Sequence, residues 1–227
     1  MARTFIQPLF AACMALGAAQ QAQASVVEFQ GFAHGSQSVS YSLSSPNAPT
    51  AGFTSAGGFK VRLDGVVNLT SYCIDLYQHI SFNNPYSGSY TQVNSSAHVF
   101  ANTRAYNDIG LLFSAGHEVN DATEEAAFQI AIWELAYETS PTLYDVGSGS
   151  MSFSGGTAAS SGALALANNW LGSLAKINTF DVQVLESGRY QDQVFANRVP
   201  EPSSTALLAA GMLGLGAVRR RRSRHPA

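Results

Sequence analysis

Cys73 and Gln129 are the residues in this chain whose types invite covalent chemistry. The chain has two cysteines, Cys13 and Cys73. Cys13 lies in an apolar N-terminal run, so Cys73 is left without a disulfide partner in a chain that reads as exported. Gln129 sits in "AAFQIAIWELAYE", four residues before Trp133. Projected as a helix, this segment gathers Gln129, Ile130, Trp133, Ala136 and Tyr137 into one charge-free arc, with Glu124, Glu125, Glu134 and Glu138 in the other half. A primary amide buried without partners costs about 1–3 kcal/mol, so Gln129 must be satisfied or changed. Attack of the Cys73 sulfur on the Gln129 carbonyl would expel ammonia and leave an internal thioester, a stored acyl group open to an amine or a hydroxyl. Storage requires the exclusion of water, for which Tyr72, Tyr77, Phe128 and Trp133 are the candidate shields.

"YCID" (Tyr72 to Asp75) and "FQIAIW" (Phe128 to Trp133) resemble the paired motifs of bacterial thioester domains, surface adhesin modules that couple covalently to amines. The first motif is an aromatic residue or leucine, then cysteine, then a hydrophobic residue, which Tyr72-Cys73-Ile74 fits. The second is hydrophobic, glutamine, two free positions and two hydrophobics, which Phe128 through Trp133 fits. Many members carry threonine before the glutamine where this chain has Phe128, so no hydroxyl assists from that position. The resemblance implies a Cys73–Gln129 thioester cross-link, shielded by Tyr72, Phe128 and Trp133.

Other readings of the same residues stay open. On a strand, Cys73 shares its side with Ser71, Asp75 and Tyr77, and it is alternatively a buried free thiol or one half of an intermolecular disulfide. Gln129 is alternatively a core glutamine held by hydrogen bonds. A cysteine hydrolase or transglutaminase-like enzyme needs a histidine beside Cys73. His79 falls about 20 Å away if the strand continues, and His34, His98 and His117 reach Cys73 only through the fold. No catalytic set, metal-ligand spacing or cofactor motif stands out, so the sequence reads as a non-enzyme without cofactor or metal. A purely structural matrix protein shares every feature except the Cys73/Gln129 pair.

The chain ends supply the context. Arg3, an apolar run over residues 5–19 and Ala22-Gln23-Ala24 read as a secretory signal peptide over 1–24, cut before Ser25. A lipoprotein signal at Cys13 is the rival, disfavoured because the apolar run continues past it. At the other end, Pro200-Glu201-Pro202 precede an apolar stretch over 206–218 and then Arg219, Arg220, Arg221 and Arg222. Sixteen residues from Ser203 to Val218 make about 24 Å of helix, short against a hydrocarbon core about 30 Å thick. The order over 199–227 resembles the PEP-CTERM sorting signal. That resemblance implies an exosortase-type membrane protease as partner, transient contact with the inner membrane through the C-terminal helix, and a Gram-negative cell that makes extracellular polysaccharide. The thioester family's best-known members are Gram-positive, so their chemistry carries over and their host targets do not. The implied target is an amine- or hydroxyl-bearing surface or polysaccharide-matrix component. An ordinary tail anchor would place the same arginines in the cytoplasm.

Residues 25–198 carry six Lys/Arg against fourteen Asp/Glu, a net charge of −8, which argues against nucleic acid as a partner. Period-two patterning marks strands at Val39-Tyr41-Leu43, Phe59-Val61-Leu63 and Tyr72-Ile74-Leu76. Residues 44–58 and 147–162 read as loops. Val99, Tyr106, Ile109 and Phe113 predict a helix from about Ser96 to Gly116. A second begins after Asp121, with Glu124 in a capping-box position, and ends before Pro141. A third spans Leu164 to Leu174, and two strands close the domain around Phe180–Val184 and Tyr190–Phe195, turning at Ser187-Gly188. The expected fold is one α+β domain with antiparallel strands at both ends and about three central helices.

Overall fold

Alternation along the chain becomes alternation of burial. In the computed structural model, which describes residues 23–45, 49–82, 89–139 and 143–198, Phe59, Val61 and Leu63 are buried while Lys60 between them is exposed. The elements are β1 (Gln23–Ser25), β2 (Val27–Phe32), β3 (Gln37–Leu43), β4 (Thr50–Ala56), β5 (Phe59–Leu63), β6 (Val67–Cys73), β7 (Tyr90–Asn94), α1 (Ala105–Ser114), α2 (Ala122–Tyr137), β8 (Met151–Ser154), α3 (Gly156–Ser161), α4 (Ala163–Leu171), β9 (Phe180–Glu186) and β10 (Gln193–Arg198). They form a β-rich single domain. One seven-stranded sheet runs in the order β1-β7-β9-β10-β6-β5-β2, and a three-stranded sheet in the order β4-β3-β8. The pairings are antiparallel.

The hairpin that brings β6 beside β5 turns on Asp64 and Gly65, with φ of 52° and 72°. Two successive left-handed residues make the tight turn whose twist suits flanking strands, and Asp-Gly is the sequence that tolerates it. The register it sets pairs Phe59 with Ser71, so β6 runs two residues beyond the end of β5, to Cys73. On its other side β6 is paired by β10, with Gln193 opposite Cys73.

α2 is the central element and touches α1, α4, β3, β4, β6 and β8. Its start follows expectation. The Asp121 carboxylate accepts the N–H groups of Thr123 at 2.8 Å and Glu124 at 2.9 Å, and Glu124 accepts the N–H of Asn120 at 2.7 Å. Asp121→Ala should therefore cost about 1 kcal/mol of unfolding free energy, measured by urea denaturation.

Four expectations need correction. Residues 44–58 include β4, and 147–162 include β8 and α3. β4 buries only Ala56 and is held by a full ladder to β3, so pairing overrides its loop-like composition. The first helix starts at Ala105, and Val99 is 91% exposed. Asn102 ends the irregular segment by accepting the Arg104 N–H through Oδ1 while its amide nitrogen donates to the Leu135 carbonyl. Ile74 and Leu76 lie beyond β6, which stops at Cys73. Finally, the described residues hold four helices against the three or so expected, and the central one, α2, buries Glu125, Glu134 and Gln129 along with its apolar residues.

Among the described residues no helix is long and apolar enough to cross a membrane. Residues 1–22, and Pro200, Glu201, Pro202 and Arg219 to Arg222 of the C-terminal signal, lie outside the described residues.

Candidate functional site

Cys73 terminates β6 with an incomplete ladder on one side. Its neighbour Ile74 donates its N–H to the Asp192 carbonyl on the β10 side at 3.0 Å, so the N–H and C=O of Cys73 face the other way, where β5 has ended. Gln129 fills that place. The Cys73 N–H donates to Gln129 Oε1 at 2.9 Å, and Gln129 Nε2 donates to the Cys73 carbonyl at 2.8 Å. The side-chain amide thus stands in for a strand residue, docked on the backbone of the cysteine 56 positions away. Both residues are 1% exposed.

The thiol itself donates to the Asp75 carbonyl at 3.0 Å. Burial pushes its pKa well above the ordinary thiol value, opposed in part by the indole N–H of Trp133, with the Asp75 and Asp192 carboxylates adding to the rise. The resting sulfur is therefore a neutral thiol, unlike the depressed thiolate of a cysteine hydrolase. Trp133 lies one helical turn after Gln129, on the same face, is 1% exposed, and stacks on Phe153 with ring centroids 5.9 Å apart. Its Nε1–H makes no well-formed hydrogen bond, although the Cys73 sulfur is close enough to feel its pull.

Cys73 and Trp133 share a cavity of about 220 Å³, walled by Phe32, Phe59, Phe82 and His79. The chain turns after Cys73 instead of continuing as a strand, which brings His79 to this cavity and removes the 20 Å separation expected from an extended chain. The Cys73 thiol nevertheless bonds to a backbone carbonyl and not to a histidine. His34 pairs with Glu125 at 2.8 Å, His98 with Glu186 at 2.6 Å, and His117 stacks on Trp170 at 4.6 Å.

Of the four shielding candidates, Trp133 alone lines the cavity. Tyr72 and Phe128 pack against each other at 4.8 Å, in a cluster with Phe113 and Trp170 that does not line it. The walls Phe32, Phe59 and Phe82 escaped the sequence reading because each reads as a strand or loop aromatic with no link to Cys73. Tyr77 lines a second cavity of about 530 Å³, together with Asp75, His98 and Asp192. Burial pushes the Asp192 carboxyl up to about 6 and raises Asp75. Among the described residues no group of three or more His, Cys, Asp or Glu is placed to hold a metal ion.

Residues 198–222 match the PEP-CTERM protein-sorting motif. That motif belongs to exported proteins sorted to the cell surface and is processed by exosortase, a membrane protease. Similar solved structures are the N-terminal domain of the Streptococcus pyogenes pilus tip adhesin Cpa and the N-terminal thioester domain of the fibronectin-binding protein SfbI from Streptococcus pyogenes. The first is 16% identical, with a TM-score of 0.46, covering 76% of this chain and 99% of that one. The second is 16% identical, with a TM-score of 0.42, covering 76% and 98%. No curated protein matches the chain in sequence.

Proposed function

We propose that Cys73 and Gln129 form an internal thioester and that the protein is an exported, adhesin-like reagent that bonds covalently to amine or hydroxyl groups outside the cell. The observation that carries this reading is the docking of the Gln129 amide on the Cys73 backbone, at 2.9 and 2.8 Å, deep in the fold. The Cys73 N–H is bonded to the amide oxygen, where negative charge develops when sulfur adds to the carbonyl carbon, so one donor is in place before reaction. Burial of both partners removes competing water and fixes their approach.

In the forming step, Cys73 Sγ bonds to Gln129 Cδ, the Cδ–Nε2 bond breaks, and ammonia leaves carrying the thiol proton. In the consuming step, an amine or hydroxyl bonds to Cδ, the Sγ–Cδ bond breaks, and the nucleophile's proton ends on sulfur. Each molecule reacts once, so the protein is not an enzyme. The cavity shared by Cys73, Trp133 and His79 is the route by which a small nucleophile reaches the bond. The sorting motif, which belongs to exported proteins, supports a reaction that takes place after export. On this reading the target is an amine- or hydroxyl-bearing component of the surface or polysaccharide matrix of a Gram-negative cell.

One observation favours a second reading. The same two hydrogen bonds give both the oxygen and the nitrogen of the buried amide a partner, so Gln129 serves equally well as a plain structural plug in a non-covalent matrix protein. Intact mass separates the two. Wild type lighter than its processed sequence by one ammonia, and shifted up by methylamine, with Cys73→Ala at its full mass under both conditions, is the expected result. A folded wild type at full mass that ignores methylamine leaves the structural reading standing.

A further inference from the structure

Trp133 holds a fully buried N–H that makes no well-formed hydrogen bond, while the Gln129 amide and the backbone groups around Cys73 are bonded. The Gln129 amide, the Cys73 N–H, the Cys73 carbonyl and the Asp75 carbonyl are all engaged with one another. An orphaned buried donor is costly, on the order of 1–3 kcal/mol where no charge or acceptor ever meets it. The indole stands one turn from Gln129 on the same helix face and opens on the same cavity as Cys73. Packing on Phe153 uses the face of the indole ring and not its N–H.

We infer that the Trp133 Nε1–H is the hydrogen-bond donor for the Cys73 sulfur in this reaction, stabilising the negative charge that sulfur bears as it attacks Gln129 and again as it leaves the acyl group. The inference rests on the thioester reading and adds to it a residue that does more than exclude water. When an amine adds to Gln129 Cδ, the electron pair of the breaking Cδ–Sγ bond goes to sulfur before the amine's proton arrives. A sulfur in that state needs a donor, and a neutral resting thiol does not, which accounts for an N–H that makes no well-formed hydrogen bond at rest. The pull that this N–H exerts on the thiol's ionisation has the same sign. The Cys73 N–H then serves the acyl oxygen and Trp133 serves the sulfur, so charge at both ends of the breaking bond is met by a fixed dipole.

The test compares the exported protein carrying Trp133 with two variants, Trp133→Phe and replacement of Trp133 by 3-benzothienylalanine, which keeps the bicyclic ring and exchanges N–H for sulfur. Mass spectrometry follows loss of ammonia and the rate of methylamine incorporation, and thermal melting is recorded for each. With the isostere melting as wild type does, thioester opening should slow on the order of 10- to 100-fold, or the thioester should fail to accumulate. A wild type that reacts with methylamine beside an isostere reacting at the same rate overturns the donor role and leaves the thioester intact. A folded wild type that never loses ammonia overturns the thioester reading, and this inference with it.

Discussion

Gln129→Ala should lower the unfolding free energy by about 2–6 kcal/mol through hydrogen bonding alone, because it strips partners from two buried backbone groups at about 1–3 kcal/mol each. Both the N–H and the C=O of Cys73 lose their partner, since β5 has ended and no strand replaces it. Domain stabilities are typically about 5–15 kcal/mol, so the loss is large enough to read in guanidinium or to leave the variant partly unfolded. Gln129→Met keeps most of the volume and separates the hydrogen-bond loss from the cavity.

The same variant reports on the covalent bond if Cys73→Ala is measured beside it. Alanine at 73 keeps both backbone groups, so Gln129 can still cap them. A thioester ties residues 56 positions apart, and the loop-entropy relation used for disulfides gives such a tie about 4 kcal/mol. With the thioester present, the expected order of stability is wild type, then Cys73→Ala, then Gln129→Ala. With Cys73→Ala near wild type and Gln129→Ala far below it, the amide is a plug and nothing more. A Gln129→Ala variant as stable as wild type would contradict the buried pairing itself.

What sequence could and could not reveal follows from where each signal lives. Asp121 and Glu124 announce the start of α2 because capping is local, a matter of three or four residues. Val61 and Leu63 announce β5 because a pleat shows as alternation. Cys73 and Gln129 were legible as a pair only through chemistry and motif, since neither residue alone departs from ordinary core usage. β4 and β8 were hidden by serine, threonine and glycine, and exist because β3 offers ladders on both its edges. The cavity walls could not be read either. Phe32, Phe59 and Phe82 come from β2, β5 and the segment after the Cys73 turn, and only the sheet order brings them together. The helical projection of α2 put Gln129 and Trp133 on a buried face, as found, but did not reveal that the opposite face of α2 is buried too. Its carboxylates are buried because they clamp neighbouring segments: Glu125 accepts the Gly58 N–H at 2.9 Å, and Glu138 accepts the Ser150 N–H at 2.7 Å. A projection cannot tell a solvated glutamate from one that holds a loop.

Glu134 is the member of that set with the largest consequence. It is fully buried; Oε1 accepts the Asp145 N–H at 3.0 Å, and Oε2 has no hydrogen-bond partner. Burial pushes its carboxyl up to about 8 from an ordinary 4.5, with Glu138 and Asp145 adding repulsion and the Asp145 N–H opposing. Glu134 is therefore protonated in the folded protein at neutral pH, while the unfolded chain ionises it. Between these two values the folded state binds more protons than the unfolded state, so stability falls as pH rises. The contribution is fully present below about pH 4.5 and is lost as pH passes through about 8. Three and a half pH units at about 1.4 kcal/mol each give about 5 kcal/mol as an upper bound. Glu134→Gln keeps a neutral side chain of the same shape at every pH and should remove this slope. Urea unfolding at pH 5, 7 and 9 should show the variant close to wild type at the lowest pH and several kcal/mol more stable at the highest. Asp192, pushed up to about 6 by burial, contributes a slope of the same sign to both proteins and cancels in the difference. Parallel pH curves for the two proteins would mean that Glu134 ionises freely within the fold, reached by water or paired through its second oxygen.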